Sequence, residues 1–163
     1  MSKGIIRIYA GSGRGKSPAA LGRAVQCASR GGNAVIIQFL KNKGLSESDF
    51  VRRMEPEIKV FRFEKSEEGY DEMTPARREE EIVNIRNGLN FARKVLNTGE
   101  CELLILDEVL GLVDNGIITR DELKQVLDLK GDDTGIIMTG NKVSEDLYDL
   151  AQEVTIITTT DRY

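Results

Sequence analysis

The chain predicts an α/β fold, a mostly parallel central sheet flanked by helices, over one domain of residues 1–163. Three observations carry this. Short β-prone runs alternate with helical patterns along the chain. Several of those runs are apolar without interruption, as strands buried on both faces are. Glycine-rich turns join strand to helix and helix to strand.

The elements follow in order. Ile5 to Tyr9 (IIRIY) is a strand running into a glycine-rich turn, and Pro18 to Arg30, rich in Ala, Leu, Arg and Gln, is a helix that Gly31-Gly32 closes. Asn33 to Leu40 (NAVIIQFL) reads as a buried strand, completing a βαβ unit. Lys41 to Met54 is polar and irregular, with a weak helix at Ser46 to Met54, and Ile58 to Phe63 is a short strand. Glu64 to Met73 is expected to be an exposed loop. Thr74-Pro75 opens a long helix, because proline is tolerated at a first helical position and Ile82, Ile85, Leu89, Ala92 and Leu96 recur at spacings of three and four. Asn97-Thr98-Gly99 ends it. Glu102 to Leu106 (ELLIL) is the next buried strand, running into Asp107-Glu108. Thr119 with Glu122 forms a capping box for the helix carrying Leu123, Val126 and Leu127. Thr134 to Thr139 is a strand, Ser144 caps a short helix through Leu150, and Val154 to Thr158 (VTIIT) is a final strand.

Composition narrows the functional classes. A domain near this size buries roughly 70% of the surface its unfolded form exposes, so no disulfide or metal staple is required. A net charge of −4 argues against broad affinity for nucleic acid. Apolar stretches are strand-length, and Met1 to Lys16 has no signal-peptide layout, so a cytoplasmic protein with no membrane partner is expected. Cys27 and Cys101 read as two reduced, packed thiols. With no histidine, Ser-His triads and histidine-ligated zinc are excluded.

Two motifs carry chemistry. Ala10-Gly11-Ser12-Gly13-Arg14-Gly15-Lys16-Ser17 fits the Walker A phosphate-binding pattern with Ala10 at its first glycine. Gly11, Gly13 and Gly15 are expected to take positive φ angles that turn successive N–H groups inward as an anion nest at a helix N-terminus. Lys16 adds a full charge, and Ser17 offers a hydroxyl to Mg²⁺. Pro18 removes one amide that would otherwise contact phosphate. About ninety residues later, Leu103 to Glu108 (LLILDE) is a hydrophobic strand ending in carboxylates, the arrangement of a Walker B segment. Asp107 would meet the metal beside Ser17. Glu108 would ligate it or act in catalysis, or else complement a helix dipole. ATP with Mg²⁺ is the implied ligand.

Four stretches together resemble the ATP-dependent corrinoid adenosyltransferases: Ile8 to Ser17 (IYAGSGRGKS), Val35 to Lys41 (VIIQFLK), Leu104 to Val109 (LILDEV) and Ile136 to Asn141 (IIMTGN). The resemblance implies a P-loop fold of the RecA-like kind, a homodimer, and transfer of the 5′-deoxyadenosyl group of ATP to the Co(I) centre of a corrinoid substrate, leaving triphosphate. It also places Gln38 and Lys41 near the active site. The chain departs from the family in three places. It has no tryptophan for the family's Gly-Phe-Thr-Trp stretch, and it offers Phe61 to Tyr70 (FRFEKSEEGY) there instead. The family's Thr-Gly-Arg is Thr139-Gly140-Asn141, which removes a cation. The chain is also read as lacking the family's C-terminal extension. The competing readings are a P-loop ATPase or kinase acting on another substrate and a non-catalytic ATP-binding paralogue. A GTPase is disfavoured, because Ser144 stands where guanine recognition needs a carboxylate.

Overall fold

The computed structural model describes residues 4–40, 49–66, 68–142 and 144–163. Six strands form one sheet: β1 (Ile6–Ala10), β2 (Ala34–Gln38), β3 (Ile58–Arg62), β4 (Leu103–Asp107), β5 (Gly135–Gly140) and β6 (Glu153–Ile156). Their spatial order is β3-β2-β4-β5-β1-β6, and every ladder is parallel. The expected alternation of strand and helix is therefore realised in full. Parallel neighbours need crossovers, and helices supply them: α1 (Lys16–Ser29), α2 (Asp49–Arg53), α3 (Pro75–Thr98), α4 (Val109–Asp114), α5 (Arg120–Leu127) and α6 (Glu145–Tyr148).

Burial explains the apolar runs. β2, β4 and β5 are buried at every position, because helices cover both faces of the sheet there. Ile8, Ile37, Leu104, Leu106 and Ile136 pack with Ile85, Leu89 and Ala92 of α3 on one face, while Ile36, Ile105 and Ile137 meet Ala20 and Ala24 of α1 on the other. Burial pushes the Cys101 thiol up to about 12, as suits a packed, inert side chain, and both cysteines are free. No helix among the described residues is long and apolar enough to cross a membrane.

The helix ends follow the local signals. Thr74 accepts from the Arg77 amide with Pro75 at the first helical position, and Gly99 closes α3 at φ 62°. Thr119 and Glu122 form both bonds of the capping box. Three expectations need correction. α4 is not read as an element from the sequence, the dipole reading of Glu108 being its sole hint, because it is too short for a periodic pattern to emerge. Ser144 occupies the N-cap of α6, but its side chain makes no cap bond, and the helix stops at Tyr148. Among the described residues of the expected exposed loop 64–73, Glu64, Ser66 and Met73 are buried and residues 70–72 make a 3₁₀ turn, so the stretch is only partly exposed. The cause is polar: Glu81, buried on the otherwise charged face of α3, accepts from the Lys65 and Ser66 amides, and Glu64 accepts from the Leu40 amide at 2.7 Å. Carboxylates in charged-looking sequence thus turn inward to satisfy backbone donors.

Candidate nucleotide site

The carboxyl ends of β1, β4 and β5 converge, and the loop after β1 wraps the start of α1. In an open parallel sheet this is where a ligand sits. β5 lies between the strand that feeds the loop and the strand that ends in Asp107, so residues 139–141 form the floor between the two motifs.

Loop glycines serve two purposes. Gly11 takes φ 122°, the positive angle expected of it. Gly13 and Gly15 do not, which corrects the expectation of three such glycines. Gly13 is required instead by close approach, because a Cβ there would lie 2.7 Å from the Ile157 carbonyl oxygen. The segment after β6 packs against the loop. The Gly13 amide donates to Ile157 O at 3.0 Å, the Arg14 amide donates to Thr159 Oγ1 at 2.9 Å, and Gly11 N donates to Gly140 O at 3.2 Å. The nest is therefore narrower than the pattern implies. The Lys16 and Ser17 amides stand in the first turn of α1, where helix N–H groups lack intrahelical acceptors. Arg14 turns outward, with its guanidinium on Asp161 at 2.6 Å, and Ser12 is exposed.

Lys16 is buried and spends its three protons inside the site: on Gly11 O at 2.9 Å, Gly13 O at 3.3 Å and Asn141 Oδ1 at 2.7 Å. Ser17 Oγ donates to Asp107 Oδ1 at 2.8 Å, although the two residues are ninety apart in sequence. Thr139 Oγ1 donates to the same Asp107 oxygen at 2.7 Å and accepts from the Glu108 amide at 2.8 Å. Sequence reasoning assigned Thr139 no role in the site. Its signal was its place at the end of a buried strand, one row from the loop. The Ser17–Asp107 pair fits a magnesium ion, since both groups offer hard oxygens. Among the described residues no group of three or more His, Cys, Asp or Glu is placed to hold a metal, so phosphate and water would have to complete the shell.

Gln38 is buried at the end of β2, in register with Asp107 across the ladder. Lys41 lies outside the described residues. Glu108 sits at φ 62° at the head of α4 and makes no capping bond. It lines a cavity of about 340 Å³ with Leu40, Tyr70, Asp71, Asp114 and Asn141. Burial raises the Asp114 carboxyl above its ordinary range, with Lys142 opposing. Tyr70 is held at the rim by Arg78, whose guanidinium lies 5.0 Å from the ring and donates to the Tyr70 carbonyl. Phe61 and Phe63 instead pack on Phe91, with centroids 4.6 and 5.4 Å away, and belong to the strand's packing.

A family model described as ATP:corrinoid adenosyltransferase BtuR/CobO/CobP matches residues 2–163. Among curated proteins, an uncharacterized protein of Nostoc sp. is 33% identical over 159 residues, covering 90% of this chain and 41% of its own length. The corrinoid adenosyltransferase of Escherichia coli is 26% identical over 152 residues, covering 93% of this chain and 75% of that one. The corrinoid adenosyltransferase CobA of Salmonella typhimurium gives the same identity and coverage. The chain thus spans under half of the Nostoc protein and three quarters of the two transferases. Among solved structures, the flagellar accessory protein FlaH from Methanocaldococcus jannaschii aligns with a TM-score of 0.59 at 15% identity, over 98% of this chain and 75% of that one. A KaiC-like protein from Pyrococcus horikoshii aligns at 0.58 and 16%, with the same coverage. At such identities these two speak for the fold, which is that of the P-loop NTPases.

Proposed function

The chain belongs to the ATP:corrinoid adenosyltransferase family, and from that premise we propose that it transfers the 5′-deoxyadenosyl group of ATP to the Co(I) centre of a corrinoid, releasing triphosphate. The observation that carries the reading is spatial. A phosphate anchor built on Lys16 and Ser17 adjoins a cavity lined by Glu108 and Asn141, which leaves room for a second substrate beside the nucleotide.

The reaction needs little from the protein beyond binding and orientation. The Co(I) electron pair forms a bond to C5′, the C5′–O bond breaks, and its electrons leave with the triphosphate. No water is activated, so a site without histidine suffices. Lys16 and the first amides of α1 would stabilise the negative charge gathering on the leaving group. Magnesium, held by Ser17 and Asp107, would neutralise part of that charge. Thr139 fixes the carboxylate of Asp107, and Gln38 lies next to it in the sheet. Glu108, on the cavity wall, would orient the corrinoid and not abstract a proton. In this reading the protein works in the cytoplasm as a homodimer, a state that sedimentation equilibrium would test.

The deciding experiment incubates the protein anaerobically with Mg-ATP and chemically reduced cob(I)alamin, follows the corrinoid spectrum and identifies the phosphate product. Adenosylcobalamin formed with equimolar triphosphate is the expected result. Formation of ADP without an adenosylated corrinoid would overturn the proposal in favour of phosphoryl transfer.

A further inference from the structure

Asn141 occupies the position where Lys16 would meet a phosphate. An ammonium has donors and no acceptor, so the Asn141 amide must present its oxygen to it, and it does so at 2.7 Å. The other two protons of Lys16 are held by the Gly11 and Gly13 carbonyls of the loop itself. Of the three acceptors, only Asn141 can leave without unwinding the loop. It lies just past the end of β5, its side chain is exposed to solvent, and it also lines the cavity shared with Glu108 and Tyr70.

We propose that Asn141 is a positioning residue that stands in for a phosphate oxygen on Lys16 when nucleotide is absent, and that triphosphate releases it toward the corrinoid cavity. The identity of the second ligand rests on the function proposed above, whereas the exchange on Lys16 does not. Because one amide cannot serve both sites, a ligand that engages it in the cavity removes a competitor from Lys16. The two ligands must then help each other by the same factor.

The test exploits a difference in sign. Calorimetry with Mg-ATP is performed on wild type, Asn141→Ala and Asn141→Asp, with and without cobinamide. Removing the amide takes away a competitor, so Asn141→Ala should bind ATP about 2- to 10-fold more tightly, the change that corresponds to one hydrogen bond's net worth. Asn141→Asp places a carboxylate on the ammonium and against the incoming phosphates, so its affinity should fall by more than about tenfold. Cobinamide should tighten ATP binding to wild type but not to Asn141→Ala. A residue with a merely structural role would weaken binding in both variants, and that result overturns the exchange, as does no change in either. A wild-type affinity indifferent to cobinamide overturns the coupling. Failure of adenosyl transfer with these binding effects intact would count against the proposed reaction alone. Residue 141 is exposed, so all three proteins should fold, and without nucleotide Asn141→Ala should melt slightly below wild type because it has lost the bond to Lys16.

Discussion

Replacing Thr139 with valine should cost about 3 kcal/mol of stability, and the structure gives the terms. Thr139 is wholly buried, and its hydroxyl serves two partners, donating to Asp107 Oδ1 and accepting from the Glu108 amide. Valine keeps the shape and removes both bonds. Leaving the Glu108 N–H without its acceptor costs about 1–3 kcal/mol, and the bond lost to the Asp107 carboxylate about 1.5–3 kcal/mol. The extra buried methyl returns about 1 kcal/mol. Glu108 also sits in the left-handed region, at φ 62°, where an L-residue is disfavoured by about 1–2 kcal/mol, and the Thr139 bond helps hold it there. Thr139→Ser retains the hydroxyl and loses one methyl, so it should cost about 1 kcal/mol. Urea unfolding followed by far-ultraviolet circular dichroism measures both, provided the slope is unchanged between proteins. If Thr139→Val lies within about 1 kcal/mol of wild type, or if serine is no better than valine, the hydroxyl does not bind these elements together and the reasoning fails.

Lys16→Ala should abolish nucleotide binding and turnover while leaving the unfolding midpoint near wild type, because the residue's partners are loop carbonyls and an exposed amide; unchanged ATP affinity by calorimetry would contradict its role. Gly11→Ala should destabilise the loop, since Gly11 takes φ 122° and the added Cβ would lie 2.3 Å from the Ile157 carbonyl oxygen; the readouts are a lowered melting temperature and weaker ATP binding together. Burial pushes the Glu64 carboxyl up from 4.5 to about 7, against the bond from the Leu40 amide and with Glu81 adding to the rise. Between those values the folded state holds a proton the unfolded chain has lost, so this group's contribution to stability falls as pH rises from about 4.5 to 7 and its full penalty remains above that. Glu64→Gln keeps an acceptor for the Leu40 amide and should flatten that dependence, gaining roughly 2 kcal/mol at pH 8 once the shift is discounted for partial solvation. Urea unfolding across pH 5 to 8 checks it, and parallel curves for the two proteins would refute the assignment.

Much of the fold was legible from one dimension because its signals are local. Continuous apolar runs marked β2 and β4 as strands covered on both faces, Thr119 with Glu122 marked the start of α5, and Gly99 marked the end of α3. Lys16, Ser17 and Asp107 could be paired from their motifs, and Ser17 and Asp107 do meet at 2.8 Å. Strand order was not legible, because periodicity says which face of a strand is buried and nothing about its neighbour. That β5 lies between β1 and β4 was decided by tertiary packing, and this placement brings Thr139 and Asn141 between the two motifs. The inward turn of Glu64 and Glu81 was hidden for a related reason. Their partners are backbone amides at distant positions, and a carboxylate in charged sequence reads as solvated until the chain folds those donors against it. Sequence alone thus determined the strands, the glycine-rich loop after β1 and the acid that faces it. Tertiary structure decided which side chains stand between them, because hydrogen bonds over long sequence separations exist only once the sheet has assembled.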